Sequence, residues 1–423
     1  MTYLPRVLDD ELDALFPQLA AISLDGPKGV GKTVTAARRC RGQFQLDSAA
    51  RRETLLADPE LILRSPSPVL IDEWQRVPEV WDVVRRQVDR DSMPGQFLLT
   101  GSATVRPASA AHSGAGRIVR LRMRPMTVAE RGGVEPTVSL RALLGGKRPP
   151  VAGDSAFTLE DYVQEILASG FPGIRGLGDR ARRAQLDGYL RNVVDRDVQD
   201  QGLAVRRPEA LLAWLRAYAG ATATTASYAR VLDAATPGDS NKPAKTTAIA
   251  YRDVLAQLWL LDPVPGWAPT RNVRTRLQRA PKHHLADPAL AARLIGASRD
   301  SLMAGAGTTL GPQDGTMLGH LFESLAALSV RVPAQAAEAT VGHLRTGNGE
   351  HEVDLVVVRD DGKVVAIEVK LAAAVNDRDV RHLRWLADTL GDDLLDAIVI
   401  TTGPTAYRRR DGIAVVPLAL LGS

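Results

Sequence analysis

Cysteine is almost absent from this sequence: Cys40 is the only one in 423 residues. That excludes an intramolecular disulfide and a cysteine-based zinc site, and it fits a reducing compartment. Aromatic residues make up only 4% of the chain, so aliphatic side chains must fill the cores. No apolar run approaches the roughly 20 residues that span a bilayer. The N-terminal MTYLPRVLDDELDALFPQL carries acids early and has no signal-peptide core. The expectation is a cytoplasmic protein that does not enter a membrane. Lysine is scarce as well: 8 of the 53 basic residues are lysine and the rest arginine, a bias that GC-rich coding explains. With a net charge of +4, overall charge argues little for a nucleic-acid partner; clustering would argue more.

What is present points to several domains. The length exceeds one ordinary core, and 45% hydrophobic with 24% charged residues is ordinary for a soluble globular protein.

AAISLDGPKGVGKTVTAARRC reads as a short apolar strand, a glycine-rich loop and a helix. The loop Gly26, Pro27, Lys28, Gly29, Val30, Gly31, Lys32 and Thr33 fits G-x-x-x-x-G-K-[ST] in full and in the strand–loop–helix setting the motif requires. Glycines let backbone N–H groups turn towards phosphate oxygens, and a helix N-terminus adds positive potential. Lys32 is placed for the β- and γ-phosphates of ATP, Thr33 for Mg²⁺. SPVLIDEWQRVPEVW then ends an apolar run at Asp72, a second Mg²⁺ ligand held through water, with Glu73 beside it to polarise an attacking water. GQFLLTGSATV ends a third apolar strand at Thr100, Gly101 and Ser102. Thr100 or Ser102 would sense the γ-phosphate or the water, or would be plain strand-to-turn hydroxyls. Arg117, after a glycine pair, reads as an arginine finger in cis or from a neighbouring subunit, or as a solvated strand-edge arginine.

DGPKGVGKT, FQLDSAARRETLLADPEL, VLIDEWQRVPEVWDVVRRQVD, FLLTGSA and GRIVRLRMRPMTVAE together resemble the AAA+ ATPases that carry a C-terminal DUF4143 region, the AAA_14 group. The resemblance implies an additional-strand P-loop core over 1–132, with Asp72 and Glu73 as its Walker B pair. Trp74 departs from the pattern, where an aliphatic residue is expected. AAA+ proteins often form rings, so a homo-oligomer is one expectation.

Residues 133–160 are rich in Gly, Pro and small residues and read as a linker. From 161 to 300 the pattern is helical. A helix ending in Arg196-Asp197 resembles the start of the DUF4143 region, and the pair reads as a helix-end salt bridge or a nucleotide sensor at a domain interface. Two further helices and APTRNVRTRLQRAPKHHLADPALAARLIG look like a winged helix, as the family has here. Arg271, Arg274, Arg276, Arg279 and Lys282 form a basic cluster that on a wing would touch DNA phosphates. His283 and His284 are neighbours on a strand and point to opposite faces, so they are read as structural.

The last region, 301–423, opens with a helix carrying Glu323 and continues as HEVDLVVVRDDGKVVAIEVKLAAA, two apolar strands joined by a turn at Asp360-Asp361-Gly362. Glu368 and Lys370 are two apart and face one way; Asp354 on the partner strand can lie beside them. Two carboxylates would bind Mg²⁺ and the lysine would stabilise a pentacovalent phosphate. The arrangement resembles the PD-(D/E)xK core of restriction enzymes, with Asp354, Glu368 and Lys370 in its acidic and lysine positions and Glu323 in that of its helix glutamate. The fold expected for the whole chain is thus α/β: a P-loop AAA+ domain, a helical winged-helix middle and a restriction-endonuclease-like end. Three readings of that end stand side by side: an ATP-gated nuclease, a fold that binds DNA without cutting it, and a salt-bridged cluster on a docking module for a protein partner.

Overall fold

The computed structural model describes residues 3–103, 115–205, 207–236, 244–269, 279–304, 314–347 and 349–423, with backbone alone at 314–316. Near the N-terminus, β1 (Ala21–Asp25), β2 (Gly42–Gln45), β3 (Val69–Asp72), β4 (Phe97–Gly101) and β5 (Ile118–Arg122) form one sheet in the order β2-β3-β4-β1-β5. Every pairing in it is parallel. β1, β3 and β4 are buried along their whole length, which is why they read as unbroken apolar runs rather than alternating ones. β4 lies between β1 and β3, the additional-strand order that the sequence resemblance implies.

A parallel sheet brings the C-terminal ends of all its strands to one rim, where ligands of α/β proteins bind. Register places Asp25 opposite Gly101 and Arg122, and Asp72 opposite Thr100. The P-loop, Asp72, Glu73, Thr100 and Ser102 therefore share that rim. Arg117 precedes β5, whose Ile118 pairs with Ala21 at the start of β1, so it sits at the opposite rim.

The middle holds the helices Leu159–Ala168, Asp179–Asn192, Pro208–Gly220, Tyr228–Ala235, Lys245–Gln257 and Pro288–Leu294, with a π-helical turn at Val193–Asp197. Short bridges tie Thr222 to His283, Leu261 to Leu285 and Val264 to Lys282. Of the expected basic cluster, Arg271, Arg274 and Arg276 lie outside the described residues.

The C-terminal sheet has eight strands in the order β7-β13-β14-β12-β11-β10-β9-β8. They are β7 (Gly153–Asp154), β8 (Gly266–Trp267), β9 (Thr340–Arg345), β10 (Glu352–Val358), β11 (Val364–Val369), β12 (Leu394–Thr401), β13 (Thr405–Arg408) and β14 (Ala414–Pro417). The β10–β11 hairpin is antiparallel, as its turn residues suggested. The helices Asp314–Ala336 and Arg381–Leu390 both pack against it.

One segment departs from the expected boundaries. Residues 133–160 are not a linker. Their β6 (Val138–Ser139) pairs with β15 (Leu421–Gly422), β7 pairs with β13, and the helix Leu140–Leu144 packs on β11 and β12. β8, just ahead of the segment expected to form a wing, joins the edge of the C-terminal sheet beside β9, and residues 270–278 of that segment lie outside the described residues. One buried cluster consequently runs from Leu8 through Tyr162, Trp214 and Phe322 to Leu421.

A buried ionic joint ties the same three regions. Asp262 accepts a hydrogen bond from Arg124 Nε at 2.9 Å and forms ion pairs with Arg122 Nη1 at 2.9 Å and Arg331 Nη2 at 2.6 Å. Burial opposes the charge on Asp262, but the three guanidiniums overcome it and hold the carboxyl well below the usual range.

Candidate functional site

The P-loop turns directly off β1. A Cβ on Gly26 would stand 2.2 Å from the Met123 carbonyl oxygen, and Gly31 has φ +108, so both positions require glycine. Lys32 opens the helix Lys32–Ala37 and is buried, with Nζ donating to the carbonyls of Gly26 at 2.8 Å and Pro27 at 2.9 Å. Burial pulls its pKa down to about 8, against Glu73, Asp72 and Asp25, which favour the ammonium.

Thr33 Oγ1 donates to Asp72 Oδ1 at 2.7 Å, and Thr100 Oγ1 donates to the same oxygen. Glu73 has φ 56 and ψ 44, a left-handed conformation that costs a non-glycine residue about 1–3 kcal/mol. Its Oε2 accepts from Ser102 Oγ at 2.8 Å and Gln75 Nε2 at 2.7 Å. The two hydroxyls expected as sensors thus each orient one acidic residue. Trp74, the departure from the family pattern, is buried against Trp81 with ring centroids 4.5 Å apart.

A cavity of about 820 Å³ opens beside the loop, lined by Lys28, Gly29, Gly31, Lys32, Thr33 and Glu73 and, from outside the motif, by Tyr3, Arg6, Met123, Met126, Pro172 and Arg175. Its size suits a nucleotide-sized ligand. The group the motif implies, a nucleoside triphosphate with Mg²⁺, meets matching chemistry: a buried ammonium, loop amides, and a hydroxyl–carboxylate pair on Thr33 and Asp72. A second cavity of about 500 Å³, lined by Ser102, Asp197, Asp200 and Gln201, shares Lys28 and Glu73 with the first. Between them, Lys28 of the loop pairs with Asp197. Of the Arg196-Asp197 pair, read as a helix-end salt bridge or an interface sensor, Asp197 reaches the P-loop lysine. Tyr3, Arg6 and Arg175 were not among the expected site residues, whereas Met123 and Met126 stand in the GRIVRLRMRPMTVAE segment that carries the family resemblance.

Arg117 is not part of this site. It donates to Asp89 at 2.8 Å, is about half exposed, and lies at the other end of the sheet. The cis arginine-finger reading is therefore corrected: strand direction carries the residue away from the phosphates.

In the C-terminal sheet the structure brings Glu323, Asp354, Glu368 and Lys370 together. Lys370 Nζ donates to Glu368 Oε2 at 2.7 Å, and the Val369 amide donates to Asp354 Oδ2 at 2.9 Å. A fifth residue stands among them. Lys282 is 1% exposed, and its Nζ lies 2.8 Å from Glu323 Oε1, 3.0 Å from Glu352 Oε1 and 2.8 Å from Asp354 Oδ1. The expectation that Lys282 touches DNA phosphates from a wing is overturned, because its charge is buried against three carboxylates. Burial would raise Asp354, but Lys282 and then Lys370 hold it below the carboxylate range. Burial, then Asp354, pushes Glu323 up to about 8 against Lys282, and the same two causes raise Glu368 well above its ordinary value.

A divalent metal does not fit beside this ammonium. Both Asp354 oxygens are engaged, and among the described residues no group of three or more His, Cys, Asp or Glu is arranged to hold a metal ion. Asp354 and Glu368 are therefore corrected as a metal pair in this arrangement. His283 and His284 are both buried, and His283 Nε2 lies 2.6 Å from the Ala226 carbonyl.

Among the described residues no helix is long and apolar enough to cross a membrane. Uncharacterized proteins of Mycobacterium bovis and Mycobacterium tuberculosis are each 31% identical over 316 residues, 73% of this chain. The match spans 62% of the length of each relative. Among solved structures, the Aeropyrum pernix ORC2 protein in its ADPNP–ADP complexes is similar at 16% identity and a TM-score of 0.31, over 69% of this chain and 90% of that one. The AAA domain family matches residues 19–131, and two domains of unknown function follow: DUF8612 over 159–301 and DUF4143 over 318–421. With the AAA domain on the P-loop sheet and DUF4143 on the eight-stranded sheet, the chain belongs to the AAA_14/DUF4143 family of AAA+ ATP-binding proteins.

Proposed function

We propose that the protein hydrolyses ATP at the rim of the β1–β5 sheet and uses the turnover to change how its middle and C-terminal parts engage DNA. The observation that carries the reading is the convergence of Lys32, Thr33, Asp72 and Glu73, with Thr100 and Ser102 aligning the two carboxylates. Lys32 exchanges its two carbonyl partners for the β- and γ-phosphates. Thr33 and Asp72 would hold Mg²⁺, which when bound neutralises charge that develops on the phosphates. Glu73 accepts the proton of the attacking water as its oxygen bonds to the γ-phosphorus, and the bond to the ADP oxygen breaks. Phosphate in the loop also competes with Asp197 for Lys28, which supplies a route from nucleotide state to the middle helices.

DNA as partner is supported by the arginines in the sequence of 271–279 and by the sequence resemblance of Asp354, Glu368 and Lys370 to the PD-(D/E)xK pattern. A second reading, a nucleotide switch for a protein partner, is favoured by the burial of Lys282 against three carboxylates, which withdraws one basic residue from a DNA-facing surface. The test is ATP turnover of wild type and Glu73→Gln, with and without nonspecific duplex DNA over a salt series. Turnover lost in the variant and raised by DNA in a steeply salt-dependent way supports the first reading. Turnover indifferent to DNA gives the second, and normal turnover in Glu73→Gln would sink the assignment of the base.

A further inference from the structure

The geometry points to Lys282 as the resident cation of the C-terminal acidic cluster: a lysine of the chain itself stands where a nuclease of this shape would hold its metal, so this site does not take up a divalent ion.

An ammonium has three N–H donors, and Lys282 has three carboxylate oxygens within 3.0 Å, from Glu323, Glu352 and Asp354. Those residues come from the helix Asp314–Ala336 and strand β10, two of the three elements that carry acidic residues in the resemblance, β11 with Glu368 being the third. The lysine reaches them from a third direction and is itself fixed. Its backbone exchanges two hydrogen bonds with Val264, N to O and O to N, each 2.9 Å. The following residues are clamped too: His283 N donates to Thr224 O at 2.9 Å, and Asp262 N donates to His284 O at 2.9 Å. A charge held this firmly is not a side chain that swings in from solvent.

The opposing observation is Glu368 Oε1, which is buried and has no partner. Among the carboxylates of the cluster it is the fully buried oxygen left without a hydrogen bond. One carboxylate oxygen does not hold a hard divalent cation, which takes six or more oxygen ligands, several from the protein or water. A second positive charge beside the Lys282 ammonium would also be repelled. If the lysine were removed, the same oxygen together with Asp354 and Glu323 would become a ligand set. On this inference the eight-stranded sheet keeps the outline of a nuclease and not its metal chemistry.

The experiment measures Mn²⁺ uptake by electron paramagnetic resonance on the full chain without nucleotide, in an Asp72→Asn background that silences the P-loop site. Its outcome does not depend on ATP hydrolysis. With Lys282 in place, no Mn²⁺ that Glu368→Gln removes is expected. With Lys282→Gln, about one equivalent should appear, and Glu368→Gln should abolish it. If Lys282→Gln folds only when Mn²⁺ is supplied, the exchange of lysine for metal is supported again. A Glu368-dependent Mn²⁺ in the chain that retains Lys282 would overturn the inference, as would a folded Lys282→Gln chain that binds none. Should Lys282→Gln fail to fold under every condition, Lys282→Arg, which keeps the charge, decides: it should fold and stay free of Mn²⁺, and uptake there overturns the proposal.

Discussion

The two acidic clusters of this protein are built alike and finished differently. Each sets an aspartate on a buried strand, with a glutamate close by, beside a buried lysine. At the P-loop rim the partners are neutral: Lys32 rests on two carbonyls, Asp72 on two hydroxyls, and Glu73 on a serine and a glutamine amide. In the C-terminal sheet the partners are ions, with Lys282 on three carboxylates and Lys370 on a fourth. A charge with neutral partners remains available to a charged ligand, because trading a carbonyl for a phosphate is favourable. A charge already paired in low dielectric is not, because withdrawing it leaves its partner buried alone. The first cluster is a site in waiting and the second is closed on itself.

Mutations can break this comparison at either end. The largest effect is expected from Glu73→Gln, which should slow ATP turnover by about 100-fold or more, as loss of a general base does, while nucleotide binding measured by calorimetry persists. Next, Lys282→Ala should destabilise the fold by about 3–5 kcal/mol, the usual cost of removing one partner of a buried ionic group, read from the denaturant midpoint. A drop under about 1 kcal/mol would mean the cluster is solvated and the contrast false. Thr100→Val is expected to cost roughly 1–3 kcal/mol, the range for a hydrogen bond to a charged group, seen as weaker Mg²⁺–nucleotide binding. The smallest effect belongs to Arg117→Ala, whose exposed pair with Asp89 should change stability by no more than about 1 kcal/mol and leave the turnover of dilute protein unaltered.

The same contrast explains what could be read from the sequence. The P-loop, Asp72 and Glu73 were legible because local geometry fixes them: a loop of set length between one strand and one helix, then an acid at a strand end. The Asp354–Glu368–Lys370 grouping was legible because a hairpin with a two-residue period dictates it. Lys282 was not. Among arginines it looked solvated, and only the pairing of its strand with Val264 and its approach to β10 bury it. Of the two readings of Arg117, the finger in cis fails on strand direction, since a residue before β5 cannot meet a loop that follows β1 in a parallel sheet, and the strand-edge arginine holds. Residues 133–160 looked like a linker because edge strands and their turns draw on the same small residues as a tether does.

The Asp262 joint bears on how the chain reaches its native state. Its arginines are brought from 138 residues before, at Arg124, and 69 residues after, at Arg331. Contacts so distant along the chain close late and slow the search, because a long loop must be ordered before they form. Until Arg331 arrives, Asp262 has only part of its counter-charge and the P-loop sheet lacks part of its floor. The nucleotide site would therefore mature as one of the last events of folding, after the helix Asp314–Ala336 docks, rather than as an early and independent unit.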